Sequence, residues 1–335
     1  MEGFGGFIKS QPARKASVAS FLLEIGTEEL PADFAAQVLA QLEPMVRRDL
    51  SEQRLACEGL SCTSTPRRIA VCIDGLAPSA SDLQEERKGP PAAQAFQDGM
   101  PTKAALGFAQ RCGLQPEELE IRETPKGPFV FASVLEKGRQ ASDLLAELIP
   151  GWIAALQGRR FMRWGAGERR FSRPIRWLVA LLDEQVVELS LEGSDPPVQS
   201  GRTSFGHRLV AAEVSIPAAS AYGDCLACAG VMVNRQQRRQ LIADAIAAGA
   251  SKRDARADLP DELLEELTDL VERPSLIEGA IDDGSLDLPA EVLSTVMRSH
   301  QRYVPLYRRS AEVDPLSLQA RGCLLPQFLC IANGL

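Results

Sequence analysis

The chain has 335 residues, of which 45% are hydrophobic and 24% are charged, and its 45 acidic and 37 basic side chains give a net charge of −8. This balance is typical of a globular chain with two or three domains. It argues against a generally basic nucleic-acid binder, although not against a local basic patch. The sequence contains no run of about 18 apolar residues, so no transmembrane helix is predicted.

The first 19 residues form a basic extension of low hydrophobicity that contains Lys9, Arg14 and Lys15. They lack the apolar stretch of a secretory signal peptide. We expect residues 1–19 to be a disordered or start-site extension, with a short organelle-type transit fragment as the alternative.

The first strong pattern is the stretch "FLLEIGTEELP", an apolar run that stops at an acid and is followed by glycine, two more acids and proline. It predicts a strand over 21–23, with Gly26 making the turn into a helix that follows Pro31. The acids allow two interpretations. They could form a paired-carboxylate catalytic site, or Glu28 and Glu29 could stabilise the N-terminus of the helix through its exposed N–H groups. The position next to proline favours the second.

Helical and strand patterns alternate along the rest of the first half. The hydrophobic spacing predicts, in order, a helix over 30–50, a strand over 69–73 with a turn at Gly75, a long loop over 77–101, and a helix capped by Thr102 and Gly113. There follow a candidate strand pair over 127–139, a helix on both sides of Pro150, and a hairpin of strands over 177–182 and 186–191 with its turn at 183–184.

The spacing of apolar residues changes after residue 210, and from there on most of it is typical of helices. Helices are predicted within 217–272 and around 289–301, the latter between short strands over 276–281 and 303–307. The last apolar run, "LLPQFLCIANGL", predicts a strand without a downstream partner. We therefore predict an α+β fold, with mixed helices and small antiparallel or mixed sheets in at least two lobes: residues 20–210, and a helix-rich lobe over 211–335 that is truncated at its C-terminus.

Among eight scattered cysteines, only Cys225 and Cys228 have the C-x-x-C spacing of a metal site. No second pair or nearby histidine completes a zinc ligand set, and the alanine-rich helical pattern around them favours packing in the core. We predict neither a metal ion nor a disulfide at this pair. Scattered cysteines fit a reducing cytoplasm, which is the expected location.

The strongest chemical signal is the arginine-rich stretch 159–176. It contains one acid, Glu168, and three aromatic residues, interleaved with Arg159, Arg160, Arg163, Arg169, Arg170, Arg173 and Arg176. A guanidinium matches the geometry of a phosphate, and the neighbouring rings of Phe161, Trp164 and Phe171 can stack on unpaired bases. The alternative is a solvated or structural loop whose arginines pair with the excess acids of this chain. Charge alone does not decide between them.

Two other short motifs add candidate cations. "TPRR" places two arginines at the entry to a strand, and "GRTSFGHR" places two more beside glycines, where the backbone can approach a ligand closely. The complete candidate RNA-binding set is Arg67, Arg68, Arg159, Arg160, Arg163, Arg169, Arg170, Arg173, Arg202 and Arg208.

Catalytic constellations are weak in this sequence. The two histidines, His207 and His300, are far apart and neither precedes an aspartate. The chain also lacks a G-x-x-x-x-G-K-[ST] loop, a G-x-S-x-G elbow and a convincing G-x-G-x-x-G motif. We therefore predict no catalytic, cofactor-binding or metal-ligating residues.

Eight motifs occur in a specific order from about residue 21 to the last residue: "LLEIGTEELP", "TPRRIAV", "KGPP…AF", "PTKAALGFA", "FMRWG…RFSRPIRWLVALL", "TSFGHR", "DLVERPSLIEG" and "LPAEVLSTVMRSHQRY". Each is modest alone. Together they closely resemble the beta subunit of bacterial heterotetrameric glycyl-tRNA synthetase.

The resemblance implies a division of labour between two kinds of subunit. In that family the alpha subunit holds the class II active site that makes glycyl-adenylate from glycine and ATP, and the beta subunit binds tRNA. It implies that this chain is a non-catalytic, tRNA-binding subunit of glycine–tRNA ligase and binds no cofactor itself. ATP and magnesium are then expected at the alpha subunit, and the expected partners are tRNA(Gly) and an alpha subunit in an α2β2 heterotetramer.

Beta subunits of that family are longer than this chain, and their second half carries a degenerate HD-type domain and an anticodon-binding domain. The resemblance therefore makes this chain an N-terminal fragment or a truncated gene product. Two other functions remain open: a stand-alone enzyme that uses the "GTEEL" carboxylates, and a scaffold that binds RNA or protein without a synthetase role. The shortage of histidine and of metal-spaced carboxylates weighs against the enzyme.

Overall fold

A computed structural model describes residues 18–97, 99–164, 167–193, 196–309 and 320–334. Helices and strands are mixed along all of it, and the strands form several small sheets, which confirms the predicted α+β fold. Almost all of the expected extension over 1–19 lies outside the described residues. No helix in the described part of the chain combines the length and the apolar character needed to cross a membrane.

The first half of the chain contains β1 (Ala19–Thr27), α1 (Ala32–Glu52), β2 (Gly59–Thr65), β3 (Arg68–Leu76), β4 (Leu83–Pro91), α2 (Ala92–Ala95), β5 (Phe96–Gln97), β6 (Met100–Pro101), α3 (Lys103–Cys112), β7 (Glu120–Thr124), β8 (Gly127–Glu136) and α4 (Ala141–Ala155). The three predicted helices are confirmed as α1, α3 and α4. The caps of α3 are also confirmed: Thr102 accepts a bond from the Ala104 N–H, and Gly113 adopts a left-handed conformation with φ of 69°.

The second half contains β9 (Met162–Arg163), β10 (Arg170–Phe171), β11 (Ile175–Leu182), β12 (Gln185–Val186), β13 (Ser190–Leu191), β14 (Val198–Gly201), β15 (Thr203–Ser204), β16 (Val214–Ser215), α5 (Tyr222–Cys228), α6 (Arg235–Ser251), β17 (Ala255–Ala257), α7 (Asp261–Leu270), β18 (Pro274–Ala280), α8 (Ala290–Val296), β19 (Val304–Arg308), α9 (Ala320–Cys323) and β20 (Leu324–Asn333). A π-helical turn over Met297–Gln301 extends α8. The predicted hairpin turn at 183–184 is confirmed, although its second strand is divided into β12 and β13.

The central sheet has the strand order β13–β14–β11–β1–β3–β2, with β12 also paired to β11. All pairs are antiparallel except β11 with β14. Helices α1 and α4 cover one face, where Phe21, Leu23 and Ile25 of β1 point, and α5 covers the other, where Leu22 points. Because β1 is buried on both faces, its sequence reads as a nearly continuous apolar run.

Strand β1 is longer than predicted because a glutamate and a glycine lie inside it. The strand continues past Leu23, and Glu24 is fully buried on the α5 side of the sheet. Gly26 does not make a turn: it pairs with Trp177 on β11, and a Cβ atom at this position would overlap the tryptophan ring. The missing side chain of Gly26 therefore makes room for Trp177.

A second sheet, β4–β8–β7, is antiparallel, and α3 packs against it. The prediction of a long loop over 77–101 is wrong, because this stretch contains β4. Strand β4 lies at the edge of the sheet, carries several charges and has no fully buried residue, so it lacks the apolar alternation that marks a strand. The strand pair predicted over 127–139 is a single strand, β8, between β4 and β7.

A third sheet, β17–β19–β20–β18, is antiparallel and packs against α6 and α7. The last strand was expected to lack a downstream partner, and both of its partners precede it in sequence. Strand β20 lies between β18 and β19, and Leu329 at its centre is buried. The expectation that this strand is left open is therefore wrong.

Residues just after the expected lobe boundary pack on the central sheet. Ile216, Tyr222 and Leu226 belong to the same buried cluster as Leu22 of β1 and Trp177 of β11. The division into lobes at residue 210 stays a prediction.

We expect Gly26→Ala to destabilise the protein by about 1–3 kcal/mol, because the added methyl group would force the Trp177 ring out of its packed position. Gly107→Ala is the matched control: Gly107 lies inside α3 with open space around it, and alanine there should stabilise the protein by about 0.5–1 kcal/mol. Denaturant unfolding measures both. Equal effects of the two substitutions would contradict the packing described for Gly26.

Candidate nucleic-acid interface

A cleft of about 1130 Å³ opens beside the ends of β1 and β11. We call it the aromatic cleft, because four of its lining residues are Trp164, Phe171, Trp177 and Phe205. Its charged lining consists of three arginines and one acid, Arg67, Arg169, Arg176 and Glu28. Residues 159–164 and 167–176, which we call the arginine segment, contribute to this lining. The cleft is therefore net positive within a chain of net charge −8.

Trp177 is held in the cleft by contacts on several sides. Its Nε1 donates a hydrogen bond of 2.6 Å to Glu24 Oε1, and its ring packs against Phe205 with 4.8 Å between ring centroids. The guanidinium carbon of Arg67 lies 5.6 Å from the Trp177 centroid, within the range of a cation–π contact. Arg67 itself lies in the tight turn between β2 and β3, so its backbone position is well defined.

The arginine segment is anchored to the core by aromatic packing. Phe34 of α1, Phe161 and Phe171 form a cluster with 5.6 Å between each pair of ring centroids. Phe171 is 2% exposed, so it serves as a core anchor and is not free to stack on a base. The cluster holds the segment against α1 at Phe161 and Phe171, so that Arg163 and Arg170 lie between two anchored positions and Arg159 and Arg160 lie just before the first of them.

The short strands β9 and β10 place two arginines opposite each other. Arg163 pairs with Arg170 in the backbone register, and both side chains are exposed. Like charges directly opposite each other on a strand pair are destabilising. A binding partner that carries negative charge would offset this repulsion.

Four arginines of the segment remain unneutralised within the described structure. They are exposed and form no ion pair with any described residue: Arg159, Arg160, Arg163 and Arg170. The alternative, in which these arginines pair with the excess acids of the chain, does not describe these four. They are the part of the candidate set that presents free guanidinium groups to solvent.

Three other predicted arginines are used in part to satisfy backbone carbonyl groups. Arg169 Nε donates to Glu192 O at 2.9 Å, and Arg173 Nη1 donates to Ser172 O at 2.9 Å. Burial lowers the pKa of Arg169 below its usual value. Arg202, between β14 and β15, donates to Pro217 O and Glu184 O at 3.1 and 2.8 Å, which ties this link to the turn after β11 and to the residue that follows Ile216.

Arg68 is wrongly included in the predicted RNA-binding set, because its side chain is 1% exposed. Its guanidinium lies between two buried carboxylates, with Nη1 3.4 Å from Glu24 Oε1 and Nη2 3.0 Å from Glu272 Oε1. Ser204 and Thr65 complete the network: Ser204 Oγ donates to Glu24 at 2.7 Å, and Thr65 Oγ1 donates to Glu272 Oε1 at 2.6 Å.

The pKa shifts around this network follow from burial and charge. Burial opposes the positive charge of Arg68, but the carboxylates of Glu24 and Glu272 outweigh it and raise the pKa of Arg68 above its usual value. Burial, together with the nearby Glu24 carboxylate, raises the pKa of Tyr222 well above its usual value. Burial lowers the pKa of Arg238 to about 10. Arg68 and Arg238 thus remain cations at neutral pH, and Tyr222 remains neutral.

The acids of "GTEEL" do not have the predicted capping role. Helix α1 begins after Pro31 without a side-chain cap, and its first turn carries Asp33. Glu28 instead forms an ion pair of 3.3 Å with Arg176, and Glu29 pairs with Arg208. These two exposed pairs join the end of β1 to the rims of the aromatic cleft and of a smaller adjoining pocket.

The sequence did not reveal four residues of the buried polar network beside the cleft: Glu24, Trp177, Ser204 and Glu272. A signal was present in the sequence, because a single acid inside an otherwise apolar strand must have a buried partner. The identity of that partner was not readable, since Arg68 lies 44 positions after Glu24, and the second carboxylate that binds Arg68, Glu272, lies 204 positions after Arg68.

The described residues contain no group of three or more His, Cys, Asp or Glu side chains placed to hold a metal ion. Cys225 is half-buried and Cys228 is exposed on α5. That neither metal nor disulfide forms at this pair stays a prediction.

Two comparisons with known proteins, with a family model and with curated relatives, point to the same family. A family model described as glycyl-tRNA synthetase beta subunit matches residues 21–335. The chain is 47% identical over 316 residues to the glycine–tRNA ligase beta subunit of Gloeothece citriformis, covering 94% of this chain and 43% of that protein. The corresponding subunit of Synechocystis sp. is 45% identical over 316 residues, with 94% and 42% covered. That of Moorella thermoacetica is 42% identical over 315 residues, with 93% and 43% covered. The chain therefore spans less than half the length of these curated relatives.

We expect Arg68→Met to destabilise the protein by about 3–5 kcal/mol, because two carboxylates would be left buried without a cation. Arg170→Met removes the same charge from an exposed position and should change stability by no more than about 0.5 kcal/mol. Denaturant unfolding of both variants provides the measurement. An Arg68 variant as stable as the wild type would show that the buried pairs do not support the fold.

Proposed function

This chain belongs to the glycyl-tRNA synthetase beta-subunit family, and on that basis we propose that it supplies a tRNA-binding, non-catalytic part of a glycine–tRNA ligase. The proposed reaction is the ATP-dependent attachment of glycine to tRNA(Gly). In this proposal the chain recruits the tRNA, and an alpha subunit activates glycine.

The proposal also assigns partners and location. The alpha subunit would bind ATP and magnesium and form glycyl-adenylate, and this chain would bind no cofactor itself. The two kinds of subunit would assemble as an α2β2 heterotetramer in the cytoplasm. The names of the relatives support the synthetase role, and the conclusion that RNA is the ligand of this chain depends on its surface.

The observation that carries the RNA-binding proposal is the set of four exposed arginines without acid partners in the described structure: Arg159, Arg160, Arg163 and Arg170. Most surface arginines of this chain whose side chains are described elsewhere pair with acids, for example Arg122 with Glu86 and Glu120. An acidic chain that leaves four neighbouring arginines unpaired has a surface suited to an anion with several phosphates.

Phosphate binding by such a surface has a specific thermodynamic signature. Each arginine that contacts a phosphate releases condensed counterions from the RNA, so the binding constant falls steeply as salt is added.

We expect Arg163→Gln with Arg170→Gln to weaken binding of tRNA(Gly) by about tenfold or more at low salt, because two charge-assisted contacts are lost. The slope of log K against log salt concentration should flatten by about one unit per lost contact. Fluorescence anisotropy with labelled tRNA, using the chain assembled with its alpha subunit, measures both quantities.

The matched control is Arg48→Gln with Arg122→Gln, which removes two exposed charges that are already paired with acids. Arg48 lies about 24 Å along α1 from the N-terminal end of the helix, where Phe34 contacts the arginine segment. The control should leave the salt slope unchanged. If the Arg163 and Arg170 variant folds normally and binds tRNA(Gly) with wild-type affinity and salt slope, the arginine segment is structural and the proposed interface is wrong.

A second expectation concerns the division of labour. The purified chain should show no glycine-dependent exchange of pyrophosphate into ATP, whereas the alpha subunit should show it, because adenylate formation is assigned to the alpha subunit. Transfer of glycine to tRNA should require both subunits. Exchange activity in the chain alone, at a rate comparable to that of the assembled enzyme, would refute the non-catalytic role.

A further inference from the structure

We propose that the aromatic cleft binds a single-stranded stretch of the RNA, with one unstacked base inside the cleft and its flanking phosphates on the arginine segment. This inference rests on the proposed function and makes it more specific. It states which form of RNA the site selects, and it separates the residues that contact a base from those that contact phosphates.

The size and shape of the cleft favour an unpaired nucleotide over a duplex. Its volume of about 1130 Å³ slightly exceeds that of pockets that enclose drug-sized ligands, so it has room for one or two nucleotides. A duplex presents a convex surface with its bases stacked inside, and proteins recognise it mainly by shape and backbone contacts. A concave site lined by aromatic rings is suited to a base that has left the stack.

Two rings of the cleft, Trp164 and Phe205, are only half-buried, and Trp164 is the one that also carries a polar group without a partner in the described structure. Unlike Phe171 and Trp177, which are 2% and 7% exposed, it is only half-buried and lines the cleft. Its indole N–H is shielded from solvent and has no hydrogen-bond acceptor among the described residues. A buried indole N–H normally has an acceptor, and a base carbonyl or phosphate oxygen would supply one.

The charges of the cleft match a nucleotide. Arg67 and Arg169 line it without an ion pair to any described acid, and Arg176 is neutralised by Glu28. Two uncompensated cations therefore face a space whose other walls are largely aromatic and aliphatic. An acidic peptide would use the cations but would leave the aromatic surface without a matching group, whereas a nucleotide uses both.

The rim of the cleft allows close approach by a ligand. Gly201 at the end of β14 has no atom within 4 Å of the position its Cβ would take, and the neighbouring Thr203 is exposed. A glycine in open space lets a base edge reach the backbone, and the threonine hydroxyl can donate to or accept from that edge.

The test compares a single-stranded RNA of about eight nucleotides with a blunt RNA duplex of the same length and label. Anisotropy is measured with the full chain assembled with its alpha subunit. We expect Trp164→Ala to weaken single-strand binding by about tenfold and to leave duplex binding unchanged, since loss of one base–aromatic stack has an effect of that order. Trp164→Phe should retain most of the affinity, because a ring is still present.

The Arg163→Gln and Arg170→Gln variant separates this inference from the proposed function. It should weaken binding of both RNAs, because it removes phosphate contacts. If Trp164→Ala keeps wild-type affinity for the single strand while the arginine variant still loses tRNA binding, the base-binding inference is wrong and the proposed function stands. If neither variant changes RNA binding and the arginine variant instead loses the alpha subunit, both are wrong and the surface binds protein.

A second measurement tests the inference even if the Trp164→Ala variant does not fold, because it uses only the wild type and Trp164→Phe. Tryptophan fluorescence of the wild-type chain should be quenched by the single-stranded RNA, and Trp164→Phe should lose most of that quenching. Of the other two tryptophans, Trp152 is almost completely buried and is not part of the cleft lining, so it serves as the internal reference, whereas Trp177 lines the cleft and is present in both proteins. Quenching of equal size in the wild type and in Trp164→Phe would overturn the assignment of the base to Trp164.

Discussion

The structure depends on one buried cation between two buried carboxylates. Arg68 of β3 lies between Glu24 of β1 and Glu272, which follows α7, and all three side chains are almost completely shielded from water. Charges so far from solvent are tolerated only when their partners are in place. The network therefore requires the central sheet and the segment after α7 to meet in one arrangement. It also holds Trp177, whose indole donates to Glu24.

That constraint reaches the surface through Trp177. Its ring fits over the backbone of Gly26 and lines the cleft, so the shape of the candidate interface is set by a polar network below it. Two sets of arginines in the chain consequently have contrasting roles. Arg68 and Arg238 are buried and bound to acids or carbonyl groups. The four unpaired arginines of the segment are exposed on a loop that Phe171 anchors to the core. The second set is available to a ligand, together with Arg67 and Arg169 in the cleft.

Local signals in the sequence predicted much of the fold and only part of the site. The helix α3 was predictable because Thr102 and Gly113 act within one turn of it, and α1 and α4 because their apolar spacing is regular. Strand β4 was not, because an exposed edge strand needs no apolar alternation. The roles of Glu24 and Arg68 were also not predictable, since burial of a charge depends on a partner that can be far away in the sequence. The arginine segment was evident from composition, but which of its members are free depended on the folded structure.

The most direct test of the account is to map where tRNA(Gly) lies on this chain. Ultraviolet crosslinking of the assembled alpha and beta subunits to tRNA(Gly), followed by mass spectrometry of the crosslinked peptides, gives that map without any substitution. The account predicts crosslinks within the arginine segment and at Trp164. Crosslinks confined to other surfaces, such as the exposed faces of α6 and α7, with none in the arginine segment, would contradict it.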